Sequence, residues 1–328
     1  MRKPALLALL LVSACTLAWG WLAGPAHAQA WPTRAVRIVV PFPPGGTTDQ
    51  IARWVQPLLQ KDLNVPIVIE NKGGASGSIG TQAVAASPPD GYTFLLVFDT
   101  HGVNPSLIPN IPFDTVKDLA PVMMIGRSPM VLTAHPSAPY KSFADILAAS
   151  KEKAESVSFG TIGSGSLAHL AMTQIGNQLN VKMNHVPYKG GGPLVVDAIA
   201  GHVPVAIASV ALLSPHIKSG KLIPLAVTSP KRFEQLADTP TIAELAVPGY
   251  DAVAWWGLLA PARTPASVIE RMREAMAKAL NEPPVKTALG EQGLLYDLSD
   301  GAAFGGFIES EIVRWGKVVK DNQINAGQ

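Results

Sequence analysis

Short β-branched runs alternate along the chain with longer segments whose apolar residues recur at helical spacing. Val36-Arg37-Ile38-Val39-Val40 predicts a strand and 49–63 a helix, 65–70 a second strand and 78–86 a second helix, and Thr93-Phe94-Leu95-Leu96-Val97-Phe98 a third strand. The rhythm returns later, with strands at 157–160, 183–186, 205–208 and 222–227 and helices at 167–179 and 193–200. Segments 266–280 and 303–319 set apolar residues against Glu, Lys and Arg and predict packing helices. Such alternation favours parallel sheets covered by helices, and 328 residues favour two domains over one large core. The expected class is α/β: two lobes, each a doubly wound, mainly parallel sheet with helices on both faces.

The N-terminus departs from this pattern. Met1-Arg2-Lys3 precedes an apolar run from Ala5 to about Ala23, and Gly24-Pro25-Ala26-His27-Ala28 follows, the layout of a secretory signal peptide cleaved after Ala28. Val12-Ser13-Ala14-Cys15 offers a competing lipoprotein site. Thr16-Leu17-Ala18-Trp19 continues the apolar segment instead of opening a polar tether, which argues for cleavage and release. Loss of the leader removes Arg2, Lys3 and no acid, so the formal charge of +2 falls to 0 and no basic surface for nucleic acid is expected. Cys15, the one cysteine, leaves too, which excludes disulfides and thiolate metal sites from the mature chain.

Candidate chemistry sits where strands hand over to helices, since free backbone N–H groups and the helix dipole make such junctions anion sites. Four junctions are rich in Gly, Ser or Thr: Pro41 to Thr48, Gly73 to Ser78, Gly160 to Ser166 and Tyr188 to Pro193. Helix initiation accounts for part of each. Thr47 with Gln50 has capping-box spacing, and Pro193 suits a first helical position. A cap needs only one hydroxyl residue, however, and repeated glycines let a ligand approach the backbone. The loops contribute Phe42, Gly46, Thr47, Ser76, Gly163, Ser164, Ser166, Tyr188, Gly190 and Gly191 as ligand-binding candidates; no Arg lies in them.

Asp99-Thr100-His101 opens a polar segment running to Leu107, predicted as the connection to the next helix. Asp99 has two readings, a turn cap or a cleft-facing group that accepts a hydrogen bond from the ligand. His101 and His169 read as structural residues or single hydrogen-bond donors, because no His/Asp/Glu cluster has metal spacing.

An enzyme is the competing class. Gly163-Ser164-Gly165-Ser166-Leu167-Ala168 fits the G-x-G-x-x-A pattern of a dinucleotide-binding loop, but Asn184-His185-Val186-Pro187-Tyr188 stands where an acid should hold the ribose. There is no G-x-S-x-G elbow, and the S-x-x-K spacing of Ser150 and Lys153 falls at a solvated helix end. Neither a cofactor nor a metal is expected.

The mature chain resembles the substrate-binding receptors of tripartite tricarboxylate transporters, the Bug type. The resemblance rests on Trp31-Pro32, Val40-Pro41-Phe42-Pro43-Pro44-Gly45-Gly46, Glu70-Asn71-Lys72-Gly73-Gly74-Ala75-Ser76-Gly77, Pro88-Pro89-Asp90-Gly91-Tyr92-Thr93, Asn104-Pro105-Ser106-Leu107, Val186-Pro187-Tyr188-Lys189-Gly190-Gly191-Gly192, Pro215 to Lys221 and Trp256-Gly257-Leu258-Leu259-Ala260-Pro261. It implies a two-lobed periplasmic binding fold with crossings near Arg127 and Asp251. Residues 29–127 and 252–328 would form one lobe and 128–251 the other. It also implies a small carboxylate held between the lobes by backbone amides and hydroxyls of the named loops, with Ser209 and His169 in the contact set. Partners would be the membrane components of the transporter, and the receptor is expected to be a monomer. Ile108 and Asp99 depart from the common pattern where the ligand's distal end is read.

Overall fold

The computed structural model describes residues 31–324; the leader, the cleavage point after Ala28 and the Cys15 alternative lie outside the described residues. The first half runs β1 (Val36–Val40), α1 (Thr47–Leu63), β2 (Ile67–Asn71), α2 (Ser78–Ala85), β3 (Thr93–Phe98), α3 (Thr100–Leu107) and β4 (Leu119–Ala134). It continues through α4 (Phe143–Glu152), β5 (Ser158–Thr161), α5 (Leu167–Gln178), β6 (Asn184–Pro187), α6 (Gly191–Ala200), β7 (Val205–Ser209), α7 (Val210–Lys218), β8 (Ile223–Val227) and α8 (Ile242–Leu245). The chain then closes with β9 (Val253–Pro261), α9 (Ala266–Asn281), α10 (Pro283–Gln292), β10 (Leu295–Tyr296) and α11 (Gly301–Asp321).

The strand order is β2-β1-β3-β9-β4-β7-β5-β6, with β8 and β10 also on β4. The long β4 is what makes two lobes. It pairs with β9 as far as Pro129 and with β7 from Met130 onward. The first lobe is thus built on β2, β1, β3, β9 and the start of β4, and the second on the end of β4 with β7, β5, β6 and β8. Each lobe has a parallel group of three strands, β2-β1-β3 and β7-β5-β6. The strands that join the lobes are antiparallel, a feature that alternation alone does not reveal.

Residue choice explains the elements. All six residues of β3 are buried, as a strand covered on both faces requires. On α1, Ile51, Ala52, Val55, Leu59 and Leu63 form the buried stripe, and Asn64 ends the helix in the left-handed region at φ 55°. Helix α11 buries Phe304, Ile308, Glu311, Trp315 and Val319 against the first lobe. Glu311 is the polar member of that stripe and accepts from the indole N–H groups of Trp255 (3.3 Å) and Trp315 (2.9 Å). Burying an aromatic of this size contributes about 1.5–3 kcal/mol by area.

Three local expectations are corrected. The segment after β3 is not a polar connection: α3 starts immediately, and burial of Thr100, His101, Val103, Asn104 and Leu107 overrides its weak helical propensity. Thr47 and Gln50 form no capping box, since Gly46 is the N-cap of α1 and no side chain caps it. Helix α6 begins at Gly191, two residues before Pro193, which still falls in the first turn where a missing N–H costs nothing.

Candidate functional site

Between β1 and α1 the chain passes through Pro41 to Gly46, and the loop is held from beneath by a residue absent from the sequence-derived set. Asp49, on the first turn of α1, accepts from Gly45 N–H (3.0 Å), from Asn71 Nδ2 (2.9 Å) and from Arg53 Nε (2.9 Å). Asn71 Nδ2 also donates to Phe42 O (3.0 Å), so one bracket fixes both ends of the loop. Burial alone would raise the Asp49 pKa, but the hydrogen bonds from Arg53, Gly45 and Asn71 outweigh it and hold the carboxylate below its ordinary value.

Asp49→Ala is expected to cost about 2 kcal/mol of stability at neutral pH, the range for hydrogen bonds to a charged group. The depressed pKa fixes the sign: this stability is present above the unfolded carboxylate value and lost as pH falls through the folded value. Urea unfolding at pH 7 and again at pH 3 checks it, with the gap between wild type and variant shrinking in acid. Arg53 is half exposed, so most of the effect rests on Gly45 and Asn71.

A small cavity lies against this loop. The first lobe lines it with Phe42, Gly46, Thr47, Thr48, Asp49, Phe98 and Trp256, β4 with Met130, and the second lobe with Ile162, Ala168, Gly191, Ala208, Ser209 and Leu212. Helices α1, α6 and α7 therefore all present their N-terminal residues to one space. At α7, Ser209 caps its own helix by accepting from Leu212 N–H (3.3 Å). Thr47 Oγ1 is buried and has no hydrogen-bond partner. The wall opposite is aromatic: the Phe98 ring lies 5.0 Å from Trp256 and 6.1 Å from Phe42, and Trp256 Nε1 donates to Thr48 Oγ1 (3.2 Å).

Of the sequence-derived candidates, Phe42, Gly46, Thr47, Gly191 and Ser209 line the cavity. Others seal the lobes together beside it. Ser76 Oγ donates across the lobes to Ser164 O (2.7 Å), while Asn104 Nδ2 holds Ser76 O (3.0 Å) from within the first lobe, and a Cβ on Gly190 would stand 3.2 Å from Pro43 Cδ across the cleft. Ser166 caps α5 by accepting from His169 N–H (3.3 Å), and the loop from Gly163 is closed by Gly165 N–H donating to His169 Nδ1 (3.1 Å).

Tyr188, His169 and His101 do not line the cavity. Tyr188 donates to Asp197 Oδ2 (2.9 Å), and burial, then this hydrogen bond, pushes its pKa to about 12. His169 stacks on His185 with ring centroids 3.9 Å apart, and burial lowers its pKa to about 4, so the ring is neutral. His101 is buried with Nε2 unpartnered, and burial lowers its pKa to about 4 as well.

Asp99 is only 1 % exposed, and neither carboxyl oxygen closes a hydrogen bond of normal geometry. The backbone N–H groups of Leu167, the first residue of α5, and of Thr100 approach it. Burial, then the charge of Glu311, pushes its pKa well above the ordinary value. Among the described residues no group of three or more His, Cys, Asp or Glu could hold a metal ion, and no helix is long and apolar enough to cross a membrane.

Chemically, the cavity offers helix N-termini and hydroxyls, with no cationic side chain in its lining, facing an apolar wall. A two-lobed α/β fold with such a site between its sheets is the architecture of periplasmic binding proteins. The sequence model of the tripartite tricarboxylate transporter family receptor matches residues 51–324. The chain belongs to that family. It is 37% identical to protein BugT of Bordetella pertussis, over 95% of this chain and 97% of that one. Rpa4515 of R. palustris, solved with adipate, is 34% identical with a TM-score of 0.85, covering 90% of this chain and 99% of that one. MatC from Rhodopseudomonas palustris, solved with bound malate, is 29% identical with a TM-score of 0.82, covering 88% and 100%.

Proposed function

We propose that this protein is an exported, monomeric receptor that holds a small carboxylate between its lobes and delivers it to the membrane components of a tripartite tricarboxylate-type transporter, binding its ligand without chemical turnover. The carrying observation is the convergence of three helix N-termini and the unpartnered Thr47 hydroxyl on one cavity between the lobes. Backbone N–H groups at such termini favour an anion without any formal positive charge. The adipate and malate carried by the two R. palustris relatives support the same ligand class.

Lobe boundaries at 127/128 and 251/252 fit this reading. β4 changes partner between Pro129 and Met130, and Ala252 N–H donates to Thr228 O (3.0 Å) beside that crossing. Ligand contacts from both lobes favour the closed arrangement, which the transporter then recognises. The dinucleotide alternative is weakened because Ser164 O already accepts from Ser76 and Leu107 covers Gly165.

Thermal shift across aliphatic and aromatic carboxylates tests the proposal. A ligand at 100 times its Kd adds about 2.7 kcal/mol, and mass spectrometry should recover it unaltered. A shift from NAD or NADP with none from any carboxylate would overturn the receptor reading.

A further inference from the structure

Helix α5 also brings an N-terminal residue, Ala168, to the cavity, but its surroundings differ from those of α1, α6 and α7. Its first N–H, on Leu167, points toward a carboxyl supplied by the opposite lobe, that of Asp99 at the end of β3. Asp99 adjoins Phe98, and Leu167 adjoins Ala168; Phe98 and Ala168 both line the cavity. Asp99 and Leu167 do not line the cavity themselves; each stands one residue along the chain from a residue of its wall. Two buried oxygens without normal hydrogen bonds are costly, so a position that keeps them has to be explained by function or by protonation.

We propose that Asp99 occupies, from the protein's own chain, the anion position at the N-terminus of α5, so that the ligand accepted is a monocarboxylate with an uncharged apolar body and dicarboxylates are rejected. This rests on the carboxylate-receptor reading above. The cavity beyond its anion end is walled by Phe42, Phe98, Met130, Ile162, Leu212 and Trp256, and no Lys, Arg or His lines it. The one acid among its lining residues, Asp49, is already bracketed by three donors. A second ligand carboxylate would have to lie on apolar side chains or beside the Asp99 carboxyl, and either placement buries an unpaired anion.

Calorimetric titration with matched pairs sharing one body, hexanoate with adipate and benzoate with benzene-1,4-dicarboxylate, tests the assignment. The wild type should bind the monocarboxylate of a pair at least tenfold tighter. Asp99→Ser, which frees the N-terminus of α5, should shift that ratio at least tenfold toward the dicarboxylate. Asp99→Asn, which removes the carboxyl but fills the space, should shift it less and serves as the readout where the serine variant folds poorly. A wild type that binds a dicarboxylate as tightly as its matched monocarboxylate, or a ratio unchanged in both variants, overturns the role of Asp99 and leaves the receptor reading standing. A wild type that binds no carboxylate at all overturns both.

Discussion

Replacing Gly191 with valine is expected to weaken every carboxylate ligand by at least 100-fold, about 2.8 kcal/mol, while the ligand-free thermal midpoint stays close to that of the wild type. Gly191 is the first residue of α6 and belongs to the second lobe, yet a Cβ there would stand 3.3 Å from Gly46 Cα across the cleft and 2.9 Å from Leu212 Cδ2. Leu212 can turn; the Gly46 backbone is fixed by the Asp49 bracket and cannot. Two further methyl groups would enter the space where the N-termini of α1 and α6 face each other. The backbone of Gly191 is not in the left-handed region, so valine adds little strain to the separated lobes. Titration with the best thermal-shift ligand decides between this and a passive loop: binding within threefold of the wild type would show that ligand does not approach the backbone here.

The limits of the sequence follow the same physics. Helix α1 is legible because burial on one side leaves a periodic trace, as in Ile51, Val55 and Leu59, and strand β1 because burial on both faces leaves a β-branched run. β4 and β9 escaped notice although they join the lobes. Pro121, Gly126 and Pro129 break the β-branched pattern of β4, and its pairing across the lobe boundary is a long-range fact with no local signal. Helix α3 was obscured in the same way, since Thr100, His101 and Gly102 form a helix only because the surrounding elements bury them.

Site residues divide along a similar line. Gly46, Thr47 and Gly191 could be named because a Gly-rich loop before a helix has a direct chemical meaning, and they line the cavity. Tyr188, in the loop before α6, and His169, on the first turn of α5, turn toward Asp197 and His185, and side-chain direction is not written in spacing. The apolar lining of Met130, Ile162 and Leu212 reads in the sequence as ordinary core. Asp49 could have been suspected from a buried acid inside an apolar stripe, but its three donors are brought together only by the fold.

Gly165→Ala is expected to weaken ligand binding by roughly tenfold or more through closure alone, because a protein whose binding-competent state is less populated shows a proportionally higher apparent Kd. Gly165 sits in the loop after β5 at φ 73°, and a Cβ there would overlap Leu107 Cδ2 of α3, a first-lobe residue that is itself buried. Neither residue lines the cavity, so a loss of affinity cannot come from a lost ligand contact. Backbone strain from the left-handed conformation, about 1–2 kcal/mol, is a competing cause, and Gly220 separates the two. It has nearly the same φ, 70°, with nothing near the added Cβ. Gly220→Ala should therefore lower stability and leave Kd unchanged. Adding Leu107→Ala to Gly165→Ala should recover most of the lost affinity, a coupling that strain alone does not produce. Titration of the three variants and the wild type, with small-angle scattering of each at saturating ligand to read the compaction, checks this. If Leu107→Ala fails to rescue binding, Gly165 matters for its own loop and not for the meeting of the lobes.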